Sequence, residues 1–220
     1  MSQSIRPRIL MGSPDYIVYV VDDDARMCEA LHELFTSLDV PSVTFGSVAE
    51  YIAYTKPDRP ACLLLDVELP DINGLDFQRQ LRDAYHPPIV FITGHGDIPS
   101  SVRAMKEGAV DFLAKPFSQD DLMTAVGAAV ARDRDARLER ADRASLQQRY
   151  RSLTPRESQV LPLVVSGLLN KQAAAELGIS EVTLQLHRSR VMQKMAAESF
   201  ADLVRMAARL DIALEHRKQQ

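Results

Sequence analysis

The sequence predicts an α/β fold: a doubly wound, five-stranded parallel sheet, followed by a linker helix and an all-α four-helix domain. Three observations carry this. Short apolar runs alternate with helix-period segments through residues 15–132. Four of those runs end abruptly in a polar residue: Ile17-Val18-Tyr19-Val20-Val21 in Asp22, Cys62-Leu63-Leu64-Leu65 in Asp66, Ile89-Val90-Phe91-Ile92 in Thr93, and Phe112-Leu113-Ala114 in Lys115. Beyond residue 132 only helical signals recur.

Taken in order, residues 1–14 read as a disordered tail. Arg6 and Arg8 precede only Ile9-Leu10-Met11, too short an apolar run for a signal peptide. After the first strand, Asp22, Asp23 and Asp24 follow in a row. Asp24 is placed to stabilise the N-terminus of a helix whose apolar residues are Cys28, Leu31, Leu34, Phe35 and Leu38. Pro41 breaks that run, and Ser42-Val43-Thr44-Phe45 reads as the second strand. Ser47 can cap a short helix to Tyr54. The strand ending in Asp66 is third, and Pro70, Asn73 and Gly74 turn the chain straight after it. A helix over 75–84 stops at Pro87-Pro88. After the fourth strand Pro99 opens a helix that Gly108 ends. After the fifth, Ser118 caps the next, with Asp120 and Asp121 in its first turn.

Residues 133–151 are rich in Arg, Asp, Glu and Ala and poor in apolar residues, which predicts a solvated helical linker without a coiled-coil heptad. In 152–215, Thr154-Pro155-Arg156-Glu157 forms a capping box. A short helix over 171–177 stops at Gly178, Ser180 caps a longer one over 181–195, and a last amphipathic helix carries Phe200, Leu203, Val204, Ala207, Leu210 and Leu214. Two helices joined by a short glycine-containing turn are the helix-turn-helix pattern.

Composition narrows the function. The 220 residues are 46% hydrophobic and 25% charged, with a net charge of −4. Residues 1–150 hold 16 basic and 23 acidic side chains, a balance of −7, whereas 151–220 hold 10 and 7, a balance of +3. The positive second part fits a nucleic-acid partner. No apolar run reaches the roughly 20 residues of a membrane span, so a cytoplasmic protein is expected. Cys28 and Cys62 lie on apolar segments and read as buried thiols.

If the strands are parallel neighbours, their polar ends meet at one rim, where open α/β sheets place ligands. Two like charges about 4 Å apart repel by roughly 4 kcal/mol at an effective dielectric of 20. Asp22, Asp23 and Asp66 together therefore need protons, a cation or the Lys115 ammonium to neutralise them, and an all-oxygen set suits Mg²⁺. A carboxylate beside Mg²⁺, facing a hydroxyl and an ammonium, is equipped to accept a phosphoryl group, with Asp66 attacking in line.

The order Asp22-Asp23, Asp66, Thr93, Lys115-Pro116 resembles the receiver domain of two-component response regulators, a CheY/flavodoxin-like fold, over residues 15–132. Thr93-Gly94-His95-Gly96-Asp97 is similar to the FixJ branch. The resemblance implies that Asp66 takes phosphate from a sensor histidine kinase. It also implies that Asp22, Asp23, Asp66 and the backbone carbonyl of Glu68 hold Mg²⁺, and that Thr93 and Lys115 bind the phosphoryl oxygens. Phe112 takes the aromatic switch position coupled to Thr93, the Lys115–Pro116 bond is cis, and Glu68 and His95 flank the site where phosphate lifetime is tuned.

Residues 153–195 resemble the LuxR/FixJ-type helix-turn-helix output domain through Leu153-Thr154-Pro155-Arg156-Glu157, Asn170-Lys171, Ala174, Leu177-Gly178-Ile179-Ser180, Thr183 and His187-Arg188-Ser189-Arg190. Leu184, Val191 and Met195 form the buried stripe of the long helix. The resemblance implies that Gln185, Leu186 and Ser189 fall where the family reaches base edges, glutamine suiting adenine and leucine a thymine methyl. Lys171, His187, Arg188, Arg190 and Lys194 reach phosphates.

The reading is a transcription regulator, not an enzyme, whose phosphorylation drives dimerisation on a two-fold site in double-stranded DNA. Two alternatives stand beside it. A magnesium-dependent phosphohydrolase would use Asp66 as nucleophile, but it would want a second Asp two residues on, where Glu68 stands. A regulator that ignores phosphate would answer to a protein partner instead.

Overall fold

The structure, a computed structural model, describes residues 14–81, 85–94 and 98–212. The expectations for the tail before residue 14, for His95, for Leu214 and for the end of the third helix at 82–84 fall outside these residues. Strands β1 (Ile17–Val21), β2 (Ser42–Phe45), β3 (Ala61–Asp66), β4 (Ile89–Thr93) and β5 (Asp111–Ala114) form one parallel sheet in the order β2-β1-β3-β4-β5.

Side-chain alternation along the strands makes two cores. Tyr19, Val21, Leu63, Leu65, Ile89 and Phe91 face one side. They pack beneath α2 (Val48–Ala53), α3 (Gly74–Gln80) and α4 (Ile98–Lys106) through Val48, Tyr51, Leu75, Phe77 and Ala104. Val18, Val20, Cys62, Leu64, Val90 and Ile92 face the other. There α1 (Ala25–Ser37) and the start of α5 (Gln119–Arg151) supply Leu31, Phe35, Leu122, Val126 and Ala129. Both faces are covered, which is why the strands read as unbroken apolar runs.

The expected caps form. Asp24 accepts from the Arg26 N–H at 2.9 Å, Ser47 from Glu50 at 3.2 Å, and Ser118 from Asp121 at 3.1 Å. Gly74 is required by close approach: a Cβ there would lie 2.3 Å from the Asp66 carbonyl oxygen. Its N–H bonds the Val67 carbonyl at 2.9 Å, which folds the start of α3 back onto the end of β3.

The fifth helix and the linker helix are one element, α5, with no proline to break it. The chain divides into two compact units after Arg137, inside this helix. The receiver boundary expected at residue 132 lies shortly before this division, and Asp133 is what holds the intervening turn to the first unit. This carboxylate is 1% exposed. It accepts from the Ala61 N–H at 2.9 Å, the Tyr85 hydroxyl at 2.8 Å and Arg137 Nε at 2.8 Å. Arg137 also pairs with Asp58 and lies over the Tyr85 ring. Further on, Leu146, one of the sparse apolar residues of the expected linker, is buried in the second unit, with Tyr150 packed against it.

In that unit α6 (Pro155–Val165), α7 (Asn170–Leu177), α8 (Glu181–Met195) and α9 (Phe200–Arg209) surround two small cores. One holds Leu161, Val191, Met195 and Leu203; the other holds Val160, Val164, Ala174 and Leu184. Gly178 takes φ +63 at the end of α7, the left-handed turn the sequence predicts.

Asp133→Ala strands a buried N–H at Ala61, a loss of about 1–3 kcal/mol. The first unit should unfold at lower urea concentration, and the Ala61 amide should exchange hydrogen faster than its neighbours in β3. Unchanged exchange at Ala61 would refute this account of the boundary.

Candidate metal centre and nucleic-acid interface

β1 and β3 are adjacent, with Val21 opposite Leu65, so the next residues, Asp22 and Asp66, come side by side at the carboxyl rim. Strands roughly 4.8 Å apart leave their terminal carboxylates within reach of one cation. Oxygens of Asp22, Asp23 and Asp66 all lie within 4.8 Å of one another. Asp22 and Asp66 are buried and Asp23 is exposed. An all-carboxylate set with one open side fits a hard divalent cation that keeps water ligands, as Mg²⁺ does.

Lys115 reaches this rim from beyond β5. Its Nζ lies 2.6 Å from Asp22 Oδ2 and 2.7 Å from Asp66 Oδ2. The Lys115–Pro116 bond is cis. Burial raises the Asp22 pKa despite the lysine beside it. Burial opposes the Lys115 charge, but its hydrogen bonds to Asp22 and Asp66 outweigh that and hold the ammonium pKa above the usual lysine value. Backbone donors fix the carboxylates: Asp24 N–H to Asp22 Oδ1 at 2.9 Å, and Glu68 N–H to Asp66 Oδ1 at 3.1 Å. Glu68 is itself exposed. Thr93 is buried at the end of β4, and its carbonyl accepts from the Lys115 N–H at 2.8 Å. Phe112, half-buried on β5, meets Phe91 with ring centroids 6.2 Å apart. Every described residue expected at the rim is therefore at the rim or on the strand that leads to it.

In the second unit, Ser180 caps α8 by accepting from the Thr183 N–H at 3.1 Å, and the Thr183 hydroxyl bonds Ser180 Oγ at 2.8 Å. Leu184, Val191 and Met195 are buried, as predicted. Lys171, Gln185, Leu186, Ser189 and Arg190 are exposed. His187 and Arg188 are half-buried. Arg188 donates to Asn170 Oδ1 at 3.0 Å and lies over the Phe200 ring at 4.9 Å, so part of its guanidinium serves to tie α8 to α7 and α9.

Lys194 has partners within its own unit. Its ammonium bonds Glu157 Oε2 at 2.7 Å and the Ser152 carbonyl at 3.2 Å. Glu157 is 2% exposed and also accepts from the Thr154 N–H. The charge counted as a phosphate contact is thus turned toward a buried carboxylate. Its pairing follows from burial, which the spacing of basic residues along α8 does not report. Val182 shows the opposite: an apolar side chain 77% exposed, one turn before Leu186.

The response regulator receiver domain model matches residues 18–127, and that of the bacterial regulatory proteins of the luxR family matches residues 151–207. Nodulation protein W of Bradyrhizobium diazoefficiens is 51% identical over 209 residues, covering 94% of this chain and 92% of that protein. The transcriptional regulatory protein FixJ of the same organism is 37% identical over 193 residues, covering 87% and 94%. Among solved structures, the response regulator StyR is 42% identical, covers 89% of this chain and 99% of its own, and superposes with a TM-score of 0.75.

The Glu157 carboxyl is held at about 2, well below its ordinary 4.5, first by the hydrogen bond from Lys194 and then by the Thr154 N–H. A depressed acid stabilises the fold above its unfolded pKa and loses that contribution as pH falls through the folded value. The second unit should therefore lose about 2 kcal/mol between pH 4.5 and pH 2, allowing for the partly exposed lysine. Lys194→Met should abolish most of that pH dependence while leaving the salt dependence of DNA binding unchanged. A flattened salt dependence in this variant would return Lys194 to the phosphate contacts.

Proposed function

The chain belongs to the response regulators that join a receiver domain to a luxR-family DNA-binding domain, and on that premise we propose which residues work the switch. It is a phosphorylation-activated transcription regulator of the two-component type. The observation that carries the residue assignment is the contact of one ammonium, Lys115, with both Asp22 and Asp66 at the rim.

Asp66 is the phosphoacceptor. A carboxylate oxygen of Asp66 attacks the phosphorus of a phosphohistidine on the sensor kinase. The new O–P bond forms as the N–P bond breaks, and the electron pair returns to the imidazole. The Glu68 N–H fixes the attacking carboxylate by holding Oδ1. Asp22, Asp23, Asp66 and the Glu68 carbonyl are the residues that would hold Mg²⁺, which supplies positive charge to the transferring oxygens when bound. Lys115 exchanges its bond to Asp66 for a phosphoryl oxygen, and the Thr93 hydroxyl takes another. Phe112 follows Thr93, and the face formed by α4, β5 and α5 rearranges. That face carries Val102 and Met105 half-exposed, which supports its use in a homodimer on a two-fold site.

The phosphorylated aspartate is the product itself, so no separate substrate is turned over. No helix among the described residues is long and apolar enough to cross a membrane. We assign the protein to the cytoplasm because its DNA partner lies there. On the DNA, Gln185, Leu186 and Ser189 face base edges. Lys171, Thr183, His187, Arg188 and Arg190 face the backbone, Arg190 being the fully committed phosphate ligand since Arg188 shares its charge with Asn170.

Asp66→Asn should take no label from acetyl phosphate while keeping the wild-type circular dichroism spectrum. Labelling equal to wild type would remove Asp66 from its role. Arg190→Ala should weaken binding to all sequences alike and reduce the slope of log K against log salt by about 1, as expected for one lost phosphate.

A further inference from the structure

Resting on the reading of α8 as the helix that enters the major groove, we infer that Val182 joins Leu186 in reading the 5-methyl groups of two thymines in each half-site. This makes Val182 a specificity-determining residue. The buried residues Leu184, Val191 and Met195 define the inward side of α8. At about 100° per residue, the row opposite them is Val182, Leu186, Ser189 and Gln193. That row is the part of the helix that reaches furthest from its own domain. Gln185 flanks it on one side and Arg190 on the other, both exposed.

Val182 is 77% exposed and Leu186 50%. Val182 is the most exposed large apolar side chain among the described residues. The helix does not need a valine at this point. Ser180 already caps the Thr183 N–H, and Glu181 supplies the acid of the first turn. A β-branched residue there loses rotamer freedom without gaining packing. Residues four apart meet on a helix surface, so Val182 and Leu186 form one apolar patch within a polar and basic face.

A duplex offers such a patch one apolar group in its major groove, the thymine C5-methyl; phosphates and G·C edges are polar. The two residues stand about 6 Å apart along the helix axis. Base pairs rise 3.4 Å. The two thymines therefore lie one or two steps apart within each half-site.

The test begins with sequences selected from a random pool by the full chain in the presence of acetyl phosphate. Each thymine is then replaced singly by uracil, which removes the methyl and keeps the pairing and the O4 acceptor. Two positions in each half-site should lose about fourfold in affinity, the value of one buried methyl at about 0.8 kcal/mol. Val182→Ser should bind thymine and uracil equally at one of these positions, and Leu186→Ser at the other. Val182 belongs to neither core of its unit, so the substitution leaves the fold intact. If no sequence is enriched, the DNA-binding reading fails and this inference with it. If sequences are enriched but uracil costs nothing, or Val182→Ser still discriminates at both positions, this inference alone fails; Val182 would then serve a protein partner.

Discussion

Three carboxylates at the end of a sheet repel one another, and the first unit is built around managing that repulsion. Asp22 and Asp66 sit on neighbouring central strands because the sheet order places β1 beside β3. An order that put another strand between β1 and β3 would separate the acids and leave nothing for Lys115 to bridge. The lysine answers the repulsion from outside the pair, delivered by a strand two places away from β3. The cost of burying Asp22, visible in its raised pKa, is offset but not cancelled by that ammonium. The site is thus poised with a charge deficit that more positive charge would relieve. Any change of charge at Asp66 would change what Lys115 must bond.

Much of this was legible in the letters. The strands were readable because both faces of the sheet are covered, so each is an uninterrupted apolar run with a polar end. The rim followed because a parallel sheet sends all those ends one way. Helix starts were readable wherever a short polar side chain caps its own backbone, as at Asp24, Ser47, Thr154 and Ser180. These are local contacts, and local contacts are what a linear pattern encodes.

What escaped the pattern was partnership across long separations. Asp133 and Ala61 are 72 residues apart, and Lys194 and Glu157 are 37 apart. Asp133 sits in a stretch of mixed charge that reads as solvated, yet it is buried. Lys194 sits among arginines on a basic helix, yet its charge is turned inward. In both cases composition reports that a charge exists and is silent on which charge receives it. Val182 shows the converse: an apolar letter on a helix suggests a core position, and only the packing of α8 reveals that it faces out.

The convergence of Ala61, Tyr85 and Arg137 on Asp133 bears on how such proteins can be recombined. A hybrid that grafts a foreign output module after residue 132 would sever the carboxylate from the donors gathered around it. A splice placed beyond Arg137 keeps that set whole, so a modular swap has a natural cutting point a full turn further along the helix than composition suggests.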